Sequence, residues 1–240
     1  MRVMSICALI AAIGAPASVR AQAGAESNQK CFGGSSTPEQ TIVACTAVIK
    51  EGSVNRKDLG SAFKIRGNAY DDSGHYDRAI KDYGQVMAIN PADGDVFNNR
   101  GATYGAQGRY DLAIVDYDKS LSLAPGNAMA LNNRCFAKAA VDQLAEALAD
   151  CNESLRLRPG DANTLASRGF TYLKMGRLDE ALADYAAELQ AGPGNADSLF
   201  GRGVAKRRKG DLPGSDADMA AAKAIKEDVA EAMAKLGVRP

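Results

Sequence analysis

Cysteine is the residue type in this sequence that offers the widest choice of chemistry. Cys31, Cys45, Cys135 and Cys151 follow the N-terminal apolar stretch, and thiols can form disulfides, ligate a metal or exchange electrons. The sequence has no Cys-x-x-Cys pair, and His75, its single histidine, is far from every cysteine along the chain. An even number of cysteines in an exported chain favours disulfides over a redox or metal site. We therefore expect no metal and no cofactor.

Side chains that could support catalysis are sparse. The sequence contains no Gly-x-Ser-x-Gly, no His-Glu-x-x-His and no phosphate-binding loop. Its serines and aspartates have no nearby base that could activate a nucleophile. We expect His75 to be an exposed turn residue and the protein not to be an enzyme.

One pattern of residues returns every 34 positions between about residue 60 and residue 227. An arginine, an aspartate and, in four units, a closing proline keep this interval: Arg66, Arg100, Arg134, Arg168 and Arg202; Asp82, Asp116, Asp150, Asp184 and Asp218; Pro91, Pro125, Pro159 and Pro193. This period is typical of helix-turn-helix units that stack into a solenoid.

Each unit is predicted to hold two packed helices. In the unit at residues 94–127, Phe97, Gly101 and Tyr104 lie on one face of the first helix. Gly101 allows the second helix to approach closely, and the close packing must offset the low helix propensity of glycine. Arg100 and Asp116 precede residues that face each other, so an ion pair across the helices is expected.

The repeats resemble those of the tetratricopeptide repeat (TPR) family. An aromatic residue or leucine opens each unit, and an alanine lies in the second half of four units: Phe63, Phe97, Leu131, Leu165 and Leu199; Ala79, Ala113, Ala147 and Ala181. The resemblance implies an all-α fold, a right-handed α-solenoid of helix-turn-helix repeats. It also implies a protein-interaction scaffold, because TPR domains usually receive an extended peptide or a partner helix on the concave surface formed by their first helices.

The predicted organisation begins with a signal peptide and ends with a capping helix. The segments are a signal peptide at 1–23, a degenerate helical repeat at 24–59, five TPR repeats at 60–93, 94–127, 128–161, 162–195 and 196–227, and a C-terminal capping helix and tail at 228–240.

Two disulfides are predicted. Cys135 stands where the other units have glycine, and Cys151 stands where three of them have tyrosine. These positions face each other in an antiparallel helix pair, so we expect Cys135 to pair with Cys151. Cys31 and Cys45 are then paired by exclusion and by their proximity in the sequence.

The N-terminus has the pattern of a secretory signal. Arg2 precedes the mostly apolar run 3–17, and Ala21-Gln22-Ala23 provides a cleavage site. The alternative is an uncleaved anchor, but the run is shorter than the roughly 20 residues that span a bilayer. We expect an exported protein of the bacterial periplasm, not inserted in the membrane after cleavage. Its 29 basic and 29 acidic residues give no reason to expect a nucleic-acid partner.

The TPR resemblance places a set of side chains on the concave groove. These candidate groove residues are Lys64, Asn68, Asn98, Asn99, Asn132, Asn133, Phe136, Phe170, Lys174, Phe200 and Arg207. Asparagine can donate to and accept from a peptide backbone, and aromatic side chains often anchor interfaces. The expected partner is therefore a protein or peptide, of an identity that the sequence does not give.

The sequence suggests three other interpretations of the surface. The carboxylate clamp of some TPR domains is disfavoured, because Met129 and Asn133 stand where that clamp needs a lysine and an arginine. Self-association through the convex face or the caps is the main alternative function. The basic run 206–209 is expected to be a solvated helix end rather than a docking surface.

Overall fold

The computed structural model describes residues 17–34, 36–52 and 54–240. Within these ranges the chain forms thirteen α-helices and no strand. The prediction of an all-α solenoid of helical repeats is confirmed, while its right-handed superhelical sense and the repeat boundaries stay predictions. The chain divides into two compact units, Met1–Asn99 and Arg100–Pro240.

The first unit is built from four helices and the beginning of a fifth. These are α1 (Ala17–Phe32), α2 (Pro38–Glu51), α3 (Arg56–Asp72), α4 (Tyr76–Ile89) and α5 (Gly94–Ala106), of which α5 contains the boundary with the second unit. The second unit continues with α6 (Tyr110–Leu123), α7 (Ala128–Ala140), α8 (Leu144–Leu157), α9 (Ala162–Lys174), α10 (Leu178–Ala191), α11 (Ala196–Arg208), α12 (Leu212–Ile225) and α13 (Val229–Lys235).

Short polar side chains begin several of the helices. Thr37 and Gln40 form a capping box at the start of α2, where Pro38 occupies the first turn. In the second unit, Asn127 and Asp161 accept the backbone N–H groups of the third residue of α7 and of α9. Each cap satisfies a donor that the helix itself leaves unpaired.

Glycine and tyrosine fit together inside the helix pairs. A Cβ atom on Gly101 of α5 would lie only 2.7 Å from the ring of Tyr117 on α6. The same contact would be 2.8 Å between Gly67 and Tyr83 in the first unit. Only a residue without a side chain leaves room for the ring, which explains why these two residue types recur together.

In the third repeat a cysteine pair replaces the glycine and the tyrosine. The Sγ atoms of Cys135 and Cys151 are 1.99 Å apart, and both residues are fully buried between α7 and α8. In the first unit the Sγ atoms of Cys31 on α1 and Cys45 on α2 are 2.04 Å apart. The structure thus holds both predicted pairs at disulfide distance.

The recurring arginine and aspartate form ion pairs across each helix pair. Arg100 donates from Nε and Nη2 to both carboxylate oxygens of Asp116, at 2.7 Å each, which confirms the predicted pair. Hydrogen bonds to the aspartate raise the pKa of Arg100 above its usual value. Since Asp116 is buried, loss of its partner would leave an uncompensated charge, so the pairs fix how the helices pack.

The N-terminal signal prediction is only partly covered by the structure. Residues 1–16 lie outside the described residues, and 17–23 form the first part of α1. Cleavage after Ala23 therefore stays a prediction. Among the described helices, none has both the length and the apolar character that a membrane span requires.

Candidate functional site

A cavity of 540 Å³ lies in the second unit, along the first helices of successive repeats. Helices α5, α7, α9 and α11 contribute its walls, and α13 borders it with Met233 and Leu236. A volume of this size is typical of ligand sites, which range from about 300 to 1,000 Å³. It is the main candidate for a binding site in the part of the chain that the structure describes.

Aromatic side chains form the apolar wall of the cavity. The ring of Phe136 lies between those of Tyr110 and Phe170, with ring centroids 6.0 Å and 5.4 Å apart. Phe136 is only partly buried, and Met129 beside it is 55% exposed. Such partly exposed aromatic and methionine side chains can gain contacts from a bound apolar group.

Tyr185 of α10 adds a polar group to the wall, although the residue is only 1% exposed. Its hydroxyl lies so close to α11 that a Cβ atom on Gly201 would be 2.5 Å from the oxygen. In the part of the chain that the structure describes, this hydroxyl has no hydrogen-bond partner, and neither has the buried Oδ1 atom of Asn132 on α7. Burial, and to a smaller degree the charge of Asp197, raises the pKa of Tyr185 far above its usual range, so the phenol stays protonated.

Tyr83, the equivalent tyrosine of the first repeat, has the hydrogen-bond partner that Tyr185 lacks. There the hydroxyl of Tyr83 donates to Oδ1 of Asn68 at 2.9 Å, and Nδ2 of Asn99 donates to the same oxygen at 3.1 Å. Around Tyr185, Phe170 of the fourth repeat and Gly201 of the fifth stand at the positions of the two asparagines. The tyrosine is kept while both amides are lost, so its hydroxyl is left without a partner.

The charges around the cavity are acidic. No lysine, arginine or histidine is among the described lining residues, and Asp197 is the only carboxylate among them. Asp197 also contacts Nζ of Lys226 at 3.2 Å on the surface. Close by, Glu188 accepts a 3.0 Å hydrogen bond from Asn195 with Oε1, while its buried Oε2 has no partner.

The structure brings together four of the candidate groove residues predicted from the sequence. Asn132, Asn133, Phe136 and Phe170 all line the cavity. Tyr185 is not among the predicted groove residues, because it lies on the second helix of its repeat, whereas the TPR resemblance forms the groove from the first helices. Only the replacement of both asparagine positions, by Phe170 and Gly201, could have indicated from the sequence that its hydroxyl is unpartnered.

Three other predicted groove residues, one on α9 and two on α11, are occupied within the protein. Lys174 donates from Nζ to the carbonyl oxygen of Ala139 at 2.8 Å and contacts Asp142 at 2.9 Å, so its side chain is only 6% exposed. Phe200 is 3% exposed, and its expected role as an accessible anchor does not agree with this burial. Arg207 turns towards α12, where its guanidinium contacts Asp216 at 2.5 Å.

The C-terminal segment explains the burial of Phe200. Val229, Met233 and Val238 belong to the same buried cluster as Phe200 and Val204, and α13 contacts both α11 and α12. The capping helix predicted from the sequence thus packs against the first helix of the last pair as well as the second. It covers positions that the TPR resemblance assigned to the open groove.

The predicted groove residues of the first unit also have partners. Oδ1 of Asn68 accepts hydrogen bonds from both Tyr83 and Asn99. Nζ of Lys64 is 3.2 Å from Asp93, and Asn98 is buried. These side chains therefore stabilise the first unit in this conformation.

The basic run of α11 is engaged in a similar way. Lys206 contacts Asp218 at 2.9 Å, Arg208 donates to the carbonyl oxygen of Arg239 at 3.0 Å, and Lys209 pairs with Asp179. The run is therefore largely neutralised by its own surroundings.

Family models match most of the repeat region. Models described as "Tetratricopeptide repeat" match residues 94–127 and 168–230, and one described as "TPR repeat" matches 67–108. No curated protein sequence matches the chain significantly.

Solved structures share the fold. The region aligned with a structure of the MamA protein covers 77% of this chain and 100% of the MamA chain, with 22% identity and a TM-score of 0.57. The region aligned with a structure of YrrB covers 80% of this chain and 98% of the YrrB chain, with 21% identity and a TM-score of 0.56. For MamA from Desulfovibrio magneticus RS-1, the aligned region covers 71% of this chain and 97% of the MamA chain, with 17% identity and a TM-score of 0.60. At these identities the similarity shows the fold alone.

Proposed function

Because the chain belongs to the tetratricopeptide repeat family, we propose that it is a non-catalytic scaffold that binds an extended segment of a partner protein in the cavity of its second unit. The observation that carries this proposal is the composition of the cavity wall. Partly exposed aromatic and methionine side chains lie there beside buried polar atoms that have no partner among the described residues. Apolar walls with a few polar groups are typical of ligand sites.

The energetics of the cavity favour an apolar side chain in its centre. Burying one leucine, methionine or phenylalanine side chain is worth about 1.5–3 kcal/mol. Contacts with Phe136 and Met129 would provide this burial, because both keep exposed surface. YrrB, one of the proteins with the same fold, is described as a TPR protein with an unusual peptide-binding site, which supports a peptide as the kind of ligand.

The proposal includes export to the periplasm. Two cysteine pairs at disulfide distance suit an oxidising compartment, since cytosolic thiols are kept reduced. The signal pattern at residues 1–23 points to the same destination. The intact mass of the protein from the periplasmic fraction tests both features: a chain that begins at Gly24 and has lost four hydrogens supports export, whereas a full-length chain with free thiols contradicts it.

Filling the cavity tests the proposed binding site. Ala166 lines the cavity, so Ala166→Phe should occupy it without removing any existing contact. Ala186→Phe is the matched control, because Ala186 is also a half-buried helical alanine but lies outside the cavity. In affinity capture from the periplasmic fraction, the parent and the control should retain a partner that Ala166→Phe loses.

Two outcomes of this capture experiment would contradict the proposed binding site. If all three proteins retain the same partner, binding uses another surface. If none retains a partner while light scattering shows a dimer, self-association through the convex face is favoured. That second candidate has support in α6, where Val115 is 63% exposed and Leu112 is 41% exposed; Val115→Lys should then abolish the dimer.

A further inference from the structure

The cavity of the second unit has a surplus of hydrogen-bond acceptors and negative charge. The Oδ1 atom of Asn132 can only accept, and the hydroxyl of Tyr185 can accept as well as donate. The carboxylate of Asp197 lines the same cavity, and the negative charges of Asp197 and of the buried Glu188 both act on Tyr185. Buried acceptors without a donor are costly, so the wall favours a ligand with donors over one that brings further acceptors.

No lysine, arginine or histidine is among the described residues that line the cavity. Lys174 lies 5.6 Å from the centroid of the Phe170 ring, but its charge is taken up by Asp142 and by two backbone carbonyl groups. Lys226 pairs with Asp197 at the surface, where both side chains are substantially exposed, and such pairs contribute little. A carboxylate of a ligand would therefore find no available cation among the lining residues.

We propose that the segment bound in this cavity carries a lysine or arginine next to a large apolar side chain. This inference rests on the proposed function and names the class of peptide that the site selects. Lysine brings three N–H donors and arginine five, whereas the wall offers the carboxylate of Asp197 and the acceptor atoms of Tyr185 and Asn132. A basic segment matches the wall in charge, whereas an acidic segment would bring like charges together.

The aromatic wall suits the rest of such a side chain. The aliphatic stem of lysine or arginine can lie along an aromatic ring while its charged end reaches the acceptors. Phe136 keeps an exposed part of its ring, and a cation within about 6 Å of such a ring is attracted to its face. The adjacent apolar side chain would contact Met129 at the edge of the cavity.

Selection from a library of random decapeptides tests the inference. The library is displayed on phage and selected on the oxidised mature protein, with Ala166→Phe used to remove peptides that bind elsewhere. We expect enrichment of peptides in which lysine or arginine adjoins leucine, methionine or phenylalanine. Enrichment of acidic or uncharged peptides would overturn this inference and leave the proposed site intact. If the parent selects nothing beyond what Ala166→Phe selects, the proposed function fails, and the inference fails with it.

Charge removal then identifies the acceptors. Asp197→Asn should weaken the binding of a selected peptide about three- to fivefold, because exposed charge pairs contribute modestly. Asp179→Asn is the matched control: it also removes a carboxylate from the first turn of a helix and from a surface pair with lysine, but it lies outside the cavity. Tyr185→Phe should weaken binding about tenfold, as expected for a hydrogen bond with a charged group. Equal dissociation constants for the parent and all three variants would overturn the assignment of these acceptors.

Discussion

Removing the hydroxyl of Tyr185 should stabilise the protein, although the residue is almost completely buried. The hydroxyl has no partner among the described residues, and a buried polar group without a hydrogen bond costs about 1–3 kcal/mol. Tyr185→Phe keeps the ring against Gly169 and Gly201 and removes only this cost. We therefore expect the free energy of unfolding to rise by about 1 kcal/mol, towards the lower end of that range.

Tyr83→Phe is the control, because it makes the same chemical change in a different environment. The hydroxyl of Tyr83 donates to Asn68 at 2.9 Å, and a typical hydrogen bond contributes about 0.5–1.5 kcal/mol to stability. This substitution should therefore destabilise the protein. The two variants should change stability in opposite directions and differ by about 2 kcal/mol in total.

Urea unfolding followed by far-ultraviolet circular dichroism measures both changes. The chain has no tryptophan, so helix content is the natural signal. The disulfides stay oxidised throughout, and the shift in midpoint is compared at an unchanged slope. If Tyr185→Phe loses as much stability as Tyr83→Phe, the hydroxyl of Tyr185 does have a partner, and the acceptor assignment in the cavity is refuted.

Three further predictions concern the packing of the repeats. Gly101→Ala should lower the free energy of unfolding by about 1–3 kcal/mol, because its Cβ would meet an aromatic ring at 2.7 Å. Gly84→Ala, in open space within α4, should raise it by about 0.5–1 kcal/mol. Thermal unfolding distinguishes the two variants, and equal effects would contradict the packing. Although burial opposes the shift, hydrogen bonds from Arg202 and Lys206 lower the pKa of Asp218. A carboxylate of this kind stabilises the fold above its unfolded pKa of about 3.9 and loses that contribution as the pH falls. Asp218→Asn should therefore make the free energy of unfolding less sensitive to acid. An unchanged pH profile of stability would argue against the ion pair. Replacing Cys135 and Cys151 together by alanine should cost about 3 kcal/mol, measured by urea unfolding against the oxidised parent, and an unchanged midpoint would show that this bridge does not stabilise the fold.

The helical repeats could be predicted because their packing is local and periodic. Each contact between Gly101 and Tyr117, or between Arg100 and Asp116, joins two helices that follow each other in the chain, so it leaves a regular mark in the sequence. The pairing of Cys135 with Cys151 could be read from the same register. Where residues of one type return at a fixed interval, the sequence carries the geometry of the fold.

The candidate site was only half predictable, because its distinctive features break the period. Phe200 fits the groove positions of the family, yet Met233 and Val238 join it in one buried cluster after a turn that the repeat pattern does not describe. The hydroxyl of Tyr185 is unpartnered because Phe170 and Gly201, on neighbouring helices, replace the two asparagines that are found near Tyr83. Such effects depend on tertiary contacts, which a pattern of single residues does not record.

The central claim is that a peptide occupies the cavity, and the methionine methyl groups provide a direct test. Met129 and Met233 line the cavity, whereas Met87, Met175 and Met219 do not. Methyl resonances of protein labelled with ¹³C at the methionine methyl groups are recorded while a peptide selected by the parent protein is added. We predict shifts at Met129 and Met233, and none with Ala166→Phe. Shifts confined to Met87, Met175 or Met219 would show that the peptide binds elsewhere and would contradict the proposed site.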